Sequence, residues 1–423
     1  MMDTTQKHTA PQQAFVDSIA SRTQPLEPMN RLGKEAREAL TSLSFPSRKT
    51  EAWKYTPVNS LLKLSMPETT ATSGIPTNIT LPQTDGYLWV TVNGQPVAEA
   101  SSLPENTNVF IGLLSEAHDR FPDLVNAHLG TIAEQKHDIF TALNGSAAAD
   151  GLAVILPVSE TMDKPLRIIH ITTDGAWDFP RLLVIAGKNS EASVEVRFMG
   201  EDKSTFTNAV TEVFAEEDAR VNVSFVEEGN GNTIQQTWVS QQSKSNCGVH
   251  TLTVNGRLVR NNLTMLLNGE HCESALNGLY ITRDDMHVDN HTLVDHRQPN
   301  CMSDEMYKGI LGGKSTGVFN GKVYVRPHAQ KTNAFQSNRN ILLSEDARVN
   351  SKPELEIYAD DVKCSHGSTT GRLDNEALFY LRSRGLSTSS ATKLLLQAFG
   401  EEVLERIPDH DLNELARNYL QKI

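Results

Sequence analysis

Hydrophobic and polar positions change their rhythm several times along this 423-residue chain. Over residues 1–65 the rhythm is helical. Leu32, Ala36, Ala39, Leu40 and Leu43 recur at the three- and four-residue intervals that place one apolar stripe on a helix. The run stops at Phe45-Pro46, because proline drives its predecessor out of the helical region. A basic, aromatic loop follows from Ser47 to Val58, in which Trp53 and Tyr55 are expected to anchor the loop to its domain. Met66 to about Ile79 is rich in Thr, Pro and Ser and reads as a linker. Tyr87–Val92 alternates and runs into Asn93-Gly94, a hairpin signal. From about Leu113 to Leu143 helical spacing returns, with Leu124, Val125, His128, Leu129 and Ile132 on one side.

From about Gly151 to Leu381 the period becomes two. Val194, Val196 and Phe198, then Val221, Val223 and Phe225, then Val323 and Val325, alternate with polar residues between Gly, Asn, Asp and Ser turns. Glu217-Asp-Ala-Arg-Val-Asn222 recurs verbatim as Glu345-Asp-Ala-Arg-Val-Asn350, with a weaker echo at Asn189–Val194. Equivalent corners entering equivalent strands suit a stacked β-coil. Asn-Gly pairs at Asn255, Asn268, Asn277 and Asn320 suit either the corners of a coil or the hairpins of a β-sandwich. Both architectures stay open at this level. The chain ends in helices. Ser387 or Thr388 is the expected N-cap, followed by Ala391, Leu395, Phe399, Val403 and Ile407, widened by Leu394 and Ala398. Past Pro408, Asp411 with Glu414 predicts a second cap. Two short terminal helices either cover an open end of a coil or bind a partner.

The formal net charge of -13, from 39 Lys+Arg and 52 Asp+Glu, argues against binding phosphate backbones or anionic lipid. No leader-like apolar run opens the sequence, and Cys247, Cys272, Cys301 and Cys364 are scattered. A cytoplasmic location is therefore expected, with no nucleic acid and no membrane as partner. Gly309–Ser315 is one residue short of a phosphate-binding loop. Gly313-Lys-Ser-Thr-Gly317 matches GxSxG but lacks a following helix. His287, Asp289 and His291 share a strand face, which reads as a packed or polar face rather than a metal site. Cys364 and His366 are two apart on a strand and would project thiol and imidazole side by side, ligands suited to zinc, copper or iron–sulfur chemistry. Two ligands do not complete a site, so the others must come from elsewhere in the fold or from a second subunit.

The loop Phe45–Val58, the segment Phe140–Asn144 with Asp150-Gly151, and above all Leu355–Leu386, with its Lys363-Cys-Ser-His-Gly367, resemble the SufB/SufD family of the SUF iron–sulfur cluster assembly machinery. The Lys-Cys-Ser-His version is similar to the SufD branch. The resemblance implies a mostly β protein, a right-handed parallel β-helix core flanked by N-terminal and C-terminal helical domains. The segments would be 1–65 helical, 66–150 linker, hairpin and helices, 151–383 core and 384–423 ATPase-docking helices. It implies a non-catalytic scaffold that pairs with SufB through the core. A transient iron–sulfur cluster would be shared with that partner at His366, with Cys364 beside it. The SufC ATPase would dock on the terminal helices through Arg384, Leu386, Leu394, Leu395 and Phe399. No nucleotide site of the chain's own is implied, and no flavin is assigned. A β-helix enzyme acting on acidic polysaccharide is the competing class. Against it stand the acidic charge and a helical module that such an enzyme does not need.

Overall fold

A computed structural model describes residues 8–21, 26–64, 74–104, 107–173 and 175–423; most of the expected linker lies outside them. The period-two stretch forms a parallel β-solenoid of about eight turns. Its strands fall into two ten-stranded sheets. One runs from Gln95–Pro96 to Lys363–Gly371, and its opposite from Phe110–Leu113 to Arg348–Ile357. Alternate residues turn inward. Val221, Val223 and Phe225 from the first sheet meet Val213, Val239 and Met265 from the second in the main core. Each such side chain contributes about 2 kcal/mol by leaving water.

One corner of every rung uses a left-handed residue: Ser159, Asn189, Asp218, Lys244, His271, Asn300 and Lys331 all have φ between 57° and 63°. Their amides donate to the next rung's corner, Asn189 to Glu217 O, Asp218 to Ser243 O, and so on to Lys331 and Asp361 O. The echo at Asn189 therefore marks a true corner. The second copy of the verbatim repeat does not: Arg348–Ile357 enters the other sheet, and no left-handed residue precedes it. Asn277-Gly278 and Asn320-Gly321 lie inside strands rather than at turns. Gly278 sits there because a Cβ would strike the Tyr307 ring.

The predicted helical stripe at Leu32–Leu40 is the buried face of Met29–Leu40. The stretch after Leu113 breaks into three helices, Leu114–Arg120, Pro122–His128 and Ile139–Ala147. The first pair is divided at Pro122, which has no N–H to carry a helix through. These N-terminal helices cover the outer face of the second sheet, packing on Ala153, Ile155, Leu183, Phe206, Ile234 and Leu258. The hairpin at Asn93-Gly94 forms as expected, pairing Val92 with Gln95.

At the other end the strands stop at Gly371. Phe379-Tyr-Leu-Arg382, expected as strand, lies in a helix, Asn375–Ser383, whose cap Asp374 accepts from the Glu376 amide. Thr388–Leu404 follows with Ser387 as its cap, as predicted. His410–Lys422 is capped by Asp409 rather than Asp411. The terminal helices do not close the solenoid's end. They lie on the outer face of the first sheet, over Leu252, Leu279, Ile281, Met306 and Ile310. The buried line of Thr388–Leu404 is accordingly Ala391, Leu396, Gly400, Val403 and Leu404. That is rotated from the predicted stripe, leaving Leu394 exposed and Leu395 and Phe399 half-buried. Among the described residues no strand pairs with the outer edge of either sheet in the last coil.

Candidate functional site

Among the described residues the edge strand Lys363–Gly371 pairs only inward, with Asn333–Leu342. Alternation puts Cys364, His366, Ser368 and Thr370 on the face that, in earlier rungs, looks into the coil. Cys364 accordingly packs beside Val323, Val325, Ala334 and Ala359 and is half-buried, while His366, two residues nearer the middle of the strand, is exposed. Their Cα atoms are about 7 Å apart along the strand. Thiol and imidazole thus share one face, neither sealed inside nor splayed. Ser368 ties the strand across the coil, its hydroxyl 2.7 Å from that of Ser351. Ile357 and Tyr358 lie exposed beside the opening.

Cys364 alone among the four cysteines has exposed surface; Cys247, Cys272 and Cys301 are buried and unpaired. Burial raises the Cys364 thiol above its ordinary range, so a metal or a cationic neighbour must draw the proton off before sulfur can ligate. Among the described residues no three His, Cys, Asp or Glu stand where they could hold a metal ion. Cys272 is buried while its neighbour His271 occupies an exposed corner, so the two do not form a second thiol–imidazole pair.

The other sequence candidates resolve into structure. Trp53 stacks on Phe140 at 5.1 Å and takes the Arg260 guanidinium over its ring at 3.7 Å. Arg260 pairs with Asp289, which also accepts from the Thr56 hydroxyl; His287 Nε2 lies 2.9 Å from that same hydroxyl. The His287–Asp289–His291 face is therefore a packed interface with the N-terminal loop. Burial and Arg260 push His291 down to about 4. Trp53 anchors the loop, whereas Tyr55 is exposed under Lys54. Gly313 turns a corner between strands, and Ser315 is buried with its hydroxyl 2.7 Å from that of Thr282.

On the terminal helices, Arg384 stacks over the exposed ring of Tyr380 at 5.3 Å, and Phe379 is 73% exposed. Leu386 is half-buried. The period-two pattern that runs to Leu381 hides these two aromatics as surface residues of a helix; Asp374 followed by Glu376 is the helix signal in the sequence. Also missed was a charged clamp beneath these helices. Lys308, buried on the outer face of the first sheet, donates to Glu402 (2.5 Å) and to the Phe399 carbonyl (2.7 Å), and Arg339 reaches Glu402 at 3.2 Å. Among the described residues no helix is long and apolar enough to cross a membrane.

Comparison with known proteins agrees with this geometry. Residues 169–399 match the family model described as the SUF system FeS cluster assembly SufBD core domain, and residues 4–168 match the SufBD protein N-terminal region. An iron–sulfur cluster assembly SufBD family protein of Synechocystis is 30% identical, over 88% of this chain and 86% of its own. The iron–sulfur cluster assembly protein SufD of Escherichia coli is 29% identical over 89% of each. A SufBD family protein of Mycobacterium tuberculosis is 28% identical over 88% of each.

Proposed function

This chain belongs to the SufBD family of iron–sulfur cluster assembly proteins, and we propose that within it the chain serves as a SufD-type scaffold with no turnover of its own. A SufB-type subunit pairs with the open edge of the last coil. Nascent iron and sulfide, the cargo, are held where that partner's ligands meet His366 and Cys364. One observation carries this reading: an exposed imidazole and the one partly exposed thiol share a face of a strand whose outer edge has no neighbour among the described residues. Half a coordination sphere at an unsatisfied edge suits completion by a second polypeptide.

The SufC ATPase docks on the exposed side of the terminal helices, through Arg384, Leu386 and Leu394 together with Phe379 and Tyr380. Leu395 and Phe399, half-buried, stiffen that surface more than they contact the partner. Movement of Thr388–Leu404 reaches the site through Glu402. That carboxylate holds Lys308 and Arg339 on the two strands that precede the edge strand in the sheet. A nucleotide state that favours one helix position thereby favours one arrangement of the opening.

The test is His366→Ala in a complex reconstituted with SufB and SufC. Cluster assembly should fall about tenfold or more, the scale of losing a group that holds or orients a metal, while the three chains still co-purify. Unchanged assembly by an intact complex would sink the cluster-facing role, and failure of the unaltered chain to co-purify would sink the pairing.

A further inference from the structure

Beneath the open edge the coil's inner face turns polar. The column of in-register residues through His366 reads Val249, Leu276, Glu305, Gln336, His366: apolar at depth, then carboxyl, carboxamide and imidazole. Glu305 is fully buried. Its Oε1 accepts from the Thr292 hydroxyl across the coil at 2.6 Å, and its Oε2 accepts from Gln336 Nε2 at 2.7 Å. The nitrogen and oxygen of a carboxamide diverge from their shared carbon. With its nitrogen committed back to Glu305, Gln336 keeps its oxygen for another donor. That oxygen is buried on a side chain only 4% exposed and has no partner. The next rung on that side, about 4.8 Å away and on the same face, is His366.

We propose that Gln336 is a positioning residue whose carboxamide oxygen, unpartnered in this structure, takes the ring N–H of His366 when the exposed imidazole turns inward, with Glu305 fixing the carboxamide for that bond. The inference rests on the reading of His366 as the cluster-facing residue and deepens it. Burial raises Glu305 to about 7; above that pH, flipping the amide would set its oxygen against a carboxylate, so there the ladder has one sense. Held from below, the imidazole adopts one tautomer, and its other ring nitrogen presents a lone pair to the opening. Metal-site histidines are oriented in this way by the group behind them. An apolar residue at position 336 would leave Glu305 one bond short and His366 free to choose either tautomer.

The experiment uses the full chain without cluster, labelled with 15N-histidine, at a pH where imidazole is neutral. The His366 signals are identified by their loss in His366→Ala. The ring nitrogen shifts should show one tautomer favoured about tenfold, the bias that one ordinary hydrogen bond supports. In Gln336→Met, of similar volume, the ratio should return to that of free histidine. An unbiased mixture in the unaltered chain overturns the proposal without any variant, whatever Gln336→Met does to folding. So does a bias that survives in a folded Gln336→Met chain. Because no cluster is measured, an inert His366→Ala in the assembly assay would remove the proposed function while leaving a tautomer bias intact. The two failures are thus distinguishable.

Discussion

Removing the Glu402 carboxylate should loosen the terminal helices from the sheet far more than its surface position suggests. Glu402→Ala leaves the Lys308 ammonium, whose side chain is 1% exposed, with only the Phe399 carbonyl and the Phe399 ring at 4.4 Å. Burial already pulls Lys308 below the usual ammonium range, opposed chiefly by Glu402. Stripping the partner from a fully buried pair costs about 3–5 kcal/mol. Here the Glu402 side chain is 44% exposed, so water enters when it is cut back, and about 2 kcal/mol is the expected loss. Lys308→Met removes the charge and keeps the stem's packing, and should be close to neutral. In that background Glu402→Ala forfeits only the half-exposed Arg339 pair, about 0.5 kcal/mol.

Solenoids open in parts rather than all at once, so the measurement is local: amide exchange in Thr388–Leu404. Protection should drop about thirtyfold in Glu402→Ala, corresponding to about 2 kcal/mol, and two- to threefold at most (roughly) when the same change is made on Lys308→Met. An equal drop in both backgrounds would refute the argument, because the loss would then owe nothing to the buried ammonium.

Two further outcomes follow from the buried groups and the ladder. Burial holds His250 and His296 down to about 4, against an ordinary 6.5. Their contribution is fully present above 6.5 and lost as pH falls toward 4, about 2 kcal/mol for each between pH 7 and pH 5. His250→Gln should reduce the acid-induced fall in urea midpoint in proportion, and an unreduced fall counts against it. At the edge strand, the Lys363 amide donates inward to Thr332, so the amides of Cys364, His366, Ser368 and Thr370 point outward. Thr370→Pro should therefore leave the chain's melting temperature nearly unchanged while weakening SufB pairing about tenfold. Tight pairing by that variant would show that the partner does not add to this edge.

The strands were legible because a half-buried sheet enforces alternation, as at Val221, Val223 and Phe225. The coil was less so, and its corners explain why. The left-handed position is filled in turn by Ser, Asn, Asp, Lys, His, Asn and Lys, so no single residue type marks it. Rung length also drifts, from 27 residues between Asn246 and Glu273 to 29 up to Met302 and 31 up to Asn333. A verbatim six-residue match stood out against that background and pointed to the wrong corner. The terminal stripe was misread by one helical position because Gly400 belongs to the buried line: a Cβ there would press on Leu420, which no hydrophobicity pattern reveals. The Cys364–His366 face followed from period two alone. The ladder under His366 did not, since knowing that Gln336 and Glu305 lie beneath it requires the rung length first.

The two edges of the last coil are not alike, and the difference bears on how a partner would approach. Arg348–Ile357 carries Pro353 and, on its outer face, Lys352, Glu354 and Glu356, the devices by which sheets discourage strand addition. Lys363–Gly371 has one lysine at its start, no proline, and a run of Ser, Thr and Gly that offers backbone without bulk. At the opposite end of the solenoid each sheet terminates in a strand that runs antiparallel to its neighbour, Gln95–Pro96 and Phe110–Leu113. Of the two last-coil edges, the first-sheet edge lacks such protection, and it is the one bearing Cys364 and His366. Under the proposed pairing, a partner strand added there extends the same inner face by one rung. That rung would fall next in the column of Glu305, Gln336 and His366, at the distance from which the missing ligands have to come.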